Sequence, residues 1–184
     1  MVNLFDIIGL DTFWVAVGAI GAVIALVLSF MQLRASRIIA AADFLIRLEA
    51  NFNAQNMLIQ RKQILQILKQ SPNDLRRMDM CRDEFDFFEE VGLLLRKKVL
   101  PTDLVWSDYC AWTLYYWTAF NNYIKWTRES DDDPTLCCEF EYLYEKMKKY
   151  EKSRVKRAVK ITPEELAGFI NEEIDILSNE IKCS

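Results

Sequence analysis

Between Asp11 and Arg34 the chain runs for twenty-two residues without a charged side chain, TFWVAVGAIGAVIALVLSFMQL. A helix of that length rises ~33 Å at about 1.5 Å per residue, enough for the ~30 Å hydrocarbon core of a bilayer. Eleven of the residues from 13 to 33 are Phe, Val, Ile or Leu. Each favours insertion by ~0.3–0.6 kcal/mol, a gross drive of roughly 3–7 kcal/mol before the cost of Ser29 and Gln32. A core helix of a soluble domain rarely stays uncharged over six turns. A cleavable signal peptide would have a basic start, a shorter apolar stretch and a small-residue cleavage site. Here Asp6 and Asp11 precede the run, and no Lys or Arg does. The expectation is therefore an uncleaved anchor. Residues 1–11 form a short outer N-terminus, 12–33 a transmembrane helix and 34–184 a further domain. Arg34 and Arg37 follow the run directly and serve as its anchor. Their asymmetry predicts an N-terminus outside and everything beyond Arg34 in the cytosol.

Only five glycines and four prolines occur in 184 residues, and the stretches between them are long. A sheet would need more turns, so the expectation is an all-α chain: the span continuing into a helical bundle of about five further helices. Five cysteines (Cys81, Cys110, Cys137, Cys138, Cys183) form an odd set without a CxxC pair. In a reducing compartment they read as small buried hydrophobes or inert surface thiols. Histidine is absent altogether, which excludes a Ser-His-Asp triad, a Cys-His nucleophile and His-ligated zinc. The glycines at 9, 18, 21, 92 and 168 fit no phosphate-binding loop. The expectation is no enzyme, no metal and no cofactor.

Beyond Arg34 the apolar residues Ile38, Ala42, Leu45, Leu48 and Phe52 recur every three or four positions, predicting a helix that continues to about Asn51. A second helix carries Met57, Leu58, Ile64, Leu65, Ile67 and Leu68 and ends at Ser71-Pro72-Asn73. A third has the cleanest stripe, Met78, Cys81, Phe85, Phe88, Gly92, Leu95 and Val99, with Pro101 as its stop. A fourth, with Thr102 as N-cap, carries Trp106, Tyr109, Trp112, Tyr115, Tyr116, Trp117, Phe120, Tyr123 and Trp126. Residues 109–124 are uncharged, but sixteen residues interrupted by Thr113, Thr118, Asn121 and Asn122 are short for a second span. These aromatics encircle the helix without alternating with arginine, so burial in the domain is expected in preference to base stacking.

The acidic stretch from Glu129 to Pro134 reads as a loop. A fifth helix follows with Leu136, Phe140, Leu143, Tyr144, Met147 and Tyr150. Its end is basic: Lys146, Lys148, Lys149, Lys152, Arg154, Lys156, Arg157 and Lys160 stand against Glu151, a net of +7 in a chain of −4. Such a surface can meet anionic lipid, RNA or an acidic partner, or can be a solvated helix end. Thr162-Pro163-Glu164-Glu165 is a capping box with proline at the first helical position. The sixth helix then sets Leu166, Ile170, Ile174, Leu177 and Ile181 on one face and Glu172, Glu173, Asp175 and Glu180 on the other.

Within the apolar run Gly18, Ala22, Ala25 and Ser29 fall on one face, Gly21 and Ala25 form a second small-xxx-small pair, and Gln32 and Ser36 prolong the first face. Helices in lipid associate through small residues, and polar groups at depth face protein or water. This side, with Arg34 near its end, is the candidate seam or pore lining of a homo-oligomer.

The span running into Gln32-Leu33-Arg34-Ala35-Ser36-Arg37, the following AADFLIRLEANF (41–52) and FFEEVGLLLRKKVLPTDLVW (87–106) resemble bacterial single-span proteins with a helical cytosolic domain. They are most similar to the Csx-type accessory proteins of type VI-B CRISPR–Cas loci, which carry a divergent HEPN-like domain. The resemblance covers most of residues 13–150. It implies a ring-shaped pore in the inner membrane that strengthens RNA-guided antiviral defence by disturbing membrane potential, with a functional link to the RNA-guided effector. HEPN ribonucleases use an arginine–histidine motif, and this chain has no histidine to complete one. A non-conducting tether recruiting RNA or a protein through residues 146–160 is the alternative, and a ribonuclease built on carboxylates and arginine is a third.

Overall fold

The structure is a computed structural model and describes residues 4–70, 82–156 and 160–183. Six helices and no strand occur among the described residues: α1 (Leu4–Phe52), α2 (Gln55–Gln70), α3 (Arg82–Arg96), α4 (Thr102–Ser130), α5 (Cys138–Val155) and α6 (Pro163–Cys183). The chain is all-α, one long apolar helix followed by a helical domain. Its contacts divide it into two units, residues 1–43 and 44–184.

In the first unit α1 passes Arg34 and Arg37 without a break, and every side chain from Val17 to Ala40 is exposed. The stripe expected after Arg34 is only partly buried. Ile38 and Ala42 are exposed, Leu45 is half-buried, and in the second unit the last turns of α1 bury Leu48 and Phe52.

The second unit is held by contacts of α3 with α5, α4 with α5, and α2 with α6. Aromatic rings fill its centre. Phe88 stacks on Phe140 with centroids 4.5 Å apart, and the Trp117 indole meets the Phe140 ring edge-on at 5.1 Å. Phe52 stacks on Phe87 at 4.6 Å and joins the end of α1 to α3. Such pairs add ~0.5–1.5 kcal/mol each beyond their area burial. Tyr109, Tyr116, Trp117, Phe120 and Tyr123 of α4 are buried in the domain, as expected of a domain helix.

The α3 stripe is core at Phe85, Phe88, Gly92 and Leu95; Met78, Cys81 and the Ser71-Pro72-Asn73 stop lie outside the described residues. A β-carbon built on Gly92 would collide with the Glu139 carbonyl, its carbon only 2.7 Å away. The helix ends before Pro101. Lys98 turns left-handed at φ 57°, the Val99 N–H donates to the Leu94 carbonyl at 2.9 Å, and Lys98 N–H donates to Leu95 at 3.1 Å. These two bonds satisfy carbonyls that the last turn orphans. Lys98, with Val99 behind it, therefore ends the helix, and Val99 lies past it. Thr102 is likewise one position off. It is the first residue of α4, and Pro101 (φ −64°, ψ 139°) occupies the N-cap without a side-chain cap.

The capping box of α6 is formed as expected. Thr162 N–H donates to Glu165 Oε2 at 2.9 Å, and Glu165 N–H donates to Thr162 Oγ1 at 3.2 Å. Gly168 in the same helix is exposed with open space where a β-carbon would go.

These two glycines predict opposite outcomes in thermal melts. Gly92→Ala sets a methyl against backbone and is expected to destabilise by about 1–3 kcal/mol. Gly168→Ala is expected to stabilise by about 0.8–1 kcal/mol by restricting the unfolded chain. Equal effects would show that α3 and α5 do not approach as closely as described.

Candidate functional site: apolar helix, basic face and buried ion pair

Among the described residues α1 is the helix long and apolar enough to cross a membrane, and its most apolar stretch is wholly exposed. At 100° per residue, Gly18, Ala22, Ala25, Ser29, Gln32 and Ser36 fall within an arc of roughly 80°. Arg34 lies about 160° round from Gly18 on the same reckoning, so it does not share that face. A β-carbon at Gly18 or Gly21 would meet nothing within 4 Å; packing within the chain does not require either glycine. Past the arginines, Ile38, Ile39 and Ile46 are 62%, 70% and 66% exposed and cover a second arc of about 100°.

The basic surface belongs to the end of α5. Lys146, Lys149, Lys152, Arg154, Lys156 and Lys160 are exposed; Arg157 lies outside the described residues. Two members are engaged. Lys148 is half-buried, 3.7 Å from Glu145 and 5.0 Å over the Tyr144 ring. The Arg154 guanidinium lies 5.1 Å over Trp106 and 5.5 Å over Tyr150. Lys146, Lys149, Lys152 and Lys156 remain as a fan of solvated ammonium groups.

The most buried charges sit at positions whose residue type suggests a solvated face. Arg61 of α2 is 3% exposed and Glu173 of α6 is 5% exposed, and they form an ion pair. Glu173, expected on the solvated face, is therefore a core residue. Arg61 Nη1 donates to the Phe52 carbonyl at 3.2 Å, Nε reaches the Tyr116 hydroxyl at 3.4 Å, and the guanidinium lies 3.8 Å over the Phe52 ring. Trp112 Nε1 donates to Glu173 Oε1 at 3.3 Å. The network thus joins α2, α4, α6 and the end of α1. Arginine keeps its proton, so burial requires a carboxylate partner. The signal was present in the spacing: Arg61 sits between Met57, Leu58, Ile64 and Leu65, and Glu173 between Ile170 and Leu177.

The remaining chemistry is quiet. Asp133 accepts from the Thr135 hydroxyl at 2.6 Å and its N–H at 2.9 Å, which hold its carboxyl below the ordinary range. Among the described residues no three Asp, Glu or Cys side chains are grouped to hold a metal ion. Burial, and then the Glu151 carboxylate, pushes the Cys110 thiol up to about 12. Burial, with Glu89 next, pushes Cys137 up to about 12.

An all-α chain with one exposed, membrane-length apolar helix leading into an aromatic-cored helical domain is the class these features define. The chain belongs to the DUF4760 family, a domain of unknown function, which it matches over residues 15–147. The matched stretch includes the apolar helix as well as the domain through most of α5. No curated protein and no solved structure matches the chain.

Removing one member of the buried pair strands the other. Arg61→Leu or Glu173→Leu is expected to cost about 3–5 kcal/mol, and the double substitution to recover most of that, as chemical denaturation would measure. Additive losses would mean that the pair is not coupled. With their pKa values near 12, Cys110 and Cys137 carry about one thiolate in 10⁴ at pH 8. Both are expected to escape iodoacetamide in the native protein and to react after denaturation, as peptide mass spectrometry would read.

Proposed function

We propose that this protein is a homo-oligomeric, single-span membrane protein whose span helices pack through their small-residue face around a pore. Its N-terminus lies outside and its helical domain forms a cytosolic collar. The observation that carries the reading is the exposed face Gly18–Ala22–Ala25–Ser29–Gln32–Ser36 on a membrane-length helix, with nothing within 4 Å of a β-carbon at Gly18 or Gly21. In hydrocarbon, small residues permit the close backbone approach that holds helices together. Ser29, Gln32 and Ser36 are polar groups that require protein or water beside them at such depth. Arg34 and Arg37 anchor the cytosolic end, and Ile38, Ile39 and Ile46 supply apolar surface for neighbouring subunits beyond it. The reading needs no catalytic residue and no cofactor. The resemblance to Csx-type accessory proteins supports placing the pore in the bacterial inner membrane, where it would amplify RNA-guided antiviral defence by lowering membrane potential.

The exposed lysine fan on α5 favours a second reading, a non-conducting tether that recruits RNA or an acidic partner. The two separate cleanly. Gly18→Ile with Ala25→Ile is expected to turn the oligomer into monomer in mild detergent and to reduce ion flux through reconstituted vesicles to the protein-free level, while the domain's melt is unchanged. Reversing Lys146, Lys149, Lys152 and Lys156 to Glu should leave that flux intact. A wild-type chain that is monomeric, or that passes no ions, would overturn the pore; loss of activity confined to the charge-reversal variant would establish the tether.

A further inference from the structure

A cleft of about 520 Å³ opens between α4, α5 and Ile161, two residues before α6, and neither the span nor the lysine fan uses it. Its volume falls within the ~300–1,000 Å³ of sites for small organic ligands. Ala111, Leu114, Tyr115 and Ile161 give it an apolar wall. Against that wall stands the half-buried Glu151, the one ionisable carboxylate of the lining; no Lys or Arg belongs to the lining among the described residues.

Among the described residues the carboxylate is held through one oxygen. Trp106 Nε1 donates to Glu151 Oε2, and the Cys110 thiol approaches the same oxygen at 4.0 Å. Trp106 is kept over the cleft edge by the Arg154 guanidinium on its ring and by Tyr150, centroid to centroid 5.9 Å. Among the described residues none donates a hydrogen bond to Oε1. A glutamine would satisfy the indole equally well, since one acceptor is all that an indole N–H needs. A carboxylate with a fixed oxygen and an open one, set at the edge of an apolar wall, is matched instead to a donor that carries positive charge.

We infer that this cleft binds an organic ammonium compound, an aryl- or alkylamine whose nitrogen pairs with Glu151 Oε1 and whose apolar body packs on Leu114, Tyr115 and Ile161. The amine loses less water than a divalent ion would, and its body displaces solvent from the wall. Anionic ligands of the same shape are excluded by the Glu151 charge.

The test uses the full chain in mild detergent and ¹⁹F relaxation of 5-fluorotryptamine, with 5-fluoroindole-3-acetate as the anionic counterpart of similar shape. Protein-free micelles supply the blank for partitioning. The amine is expected to bind with Kd of about 0.1–1 mM, in keeping with a ligand of its size, and the acid to match the blank. Glu151→Gln keeps the acceptor for Trp106 and is expected to weaken the amine about five- to tenfold. Ile161→Trp fills the cleft from outside α4 and α5 and should abolish binding at an unchanged melting temperature. Amine relaxation no different from the blank, equal binding of the acid, or full binding to either variant would overturn the site.

Discussion

A guanidinium cannot shed its charge when it leaves water, and Arg61 has left it almost completely. The groups that close α6 onto α2 answer that fact. The carboxylate comes from α6, more than a hundred residues along the chain; the other two guanidinium nitrogens, Nη1 and Nε, donate to the Phe52 carbonyl and the Tyr116 hydroxyl. Helix α6 is thus tied to α2 by a requirement stronger than apolar area alone. A pair of this kind adds little net stability over well-packed hydrophobes, yet breaking it is costly. Its effect is specificity of arrangement: α6 can slide along α2 only by leaving one charge buried without its partner.

How much of this was legible in the residues depends on how local the cause is. The apolar run needs only its own composition to declare a helix of membrane length, and Thr162 to Glu165 needs only four residues to declare a cap. Both stand as read. The aromatic fourth helix was also legible, because Thr113 and Asn121 argue against lipid as surely as Trp117 and Phe120 argue for a core. Arg61 and Glu173 are not legible from residue type, since charge suggests exposure even where the flanking apolar residues put those positions inside. The ends of helices were blurred for a related reason. Lys98 adopts a conformation usually left to glycine, so no residue type marks the end of α3, and Pro101 drew the boundary too far along. On α1, helical spacing places Arg34 apart from the small residues although it is close to them along the chain.

The family match ties the two units together as one inherited piece. It begins inside the apolar run and ends at Met147, just short of most of the lysine fan. The anchor-like helix is therefore as much part of the family's definition as the helical domain, whereas the basic end of α5 and all of α6 lie beyond the matched stretch.

Among the described residues four other than glycine hold left-handed backbone: Lys98, Asp132, Cys137 and Lys156. Two of them, Cys137 and Lys156, bracket α5 at its two ends. Each L-residue in that region costs on the order of 1 kcal/mol relative to glycine. The chain has few glycines, and none of the described ones occupies such a position. The helix that carries the lysines is consequently delimited by bends under mild steric tension, and glycine at the exposed Lys156 would relieve one of them without removing anything from the core, whereas Cys137 is buried.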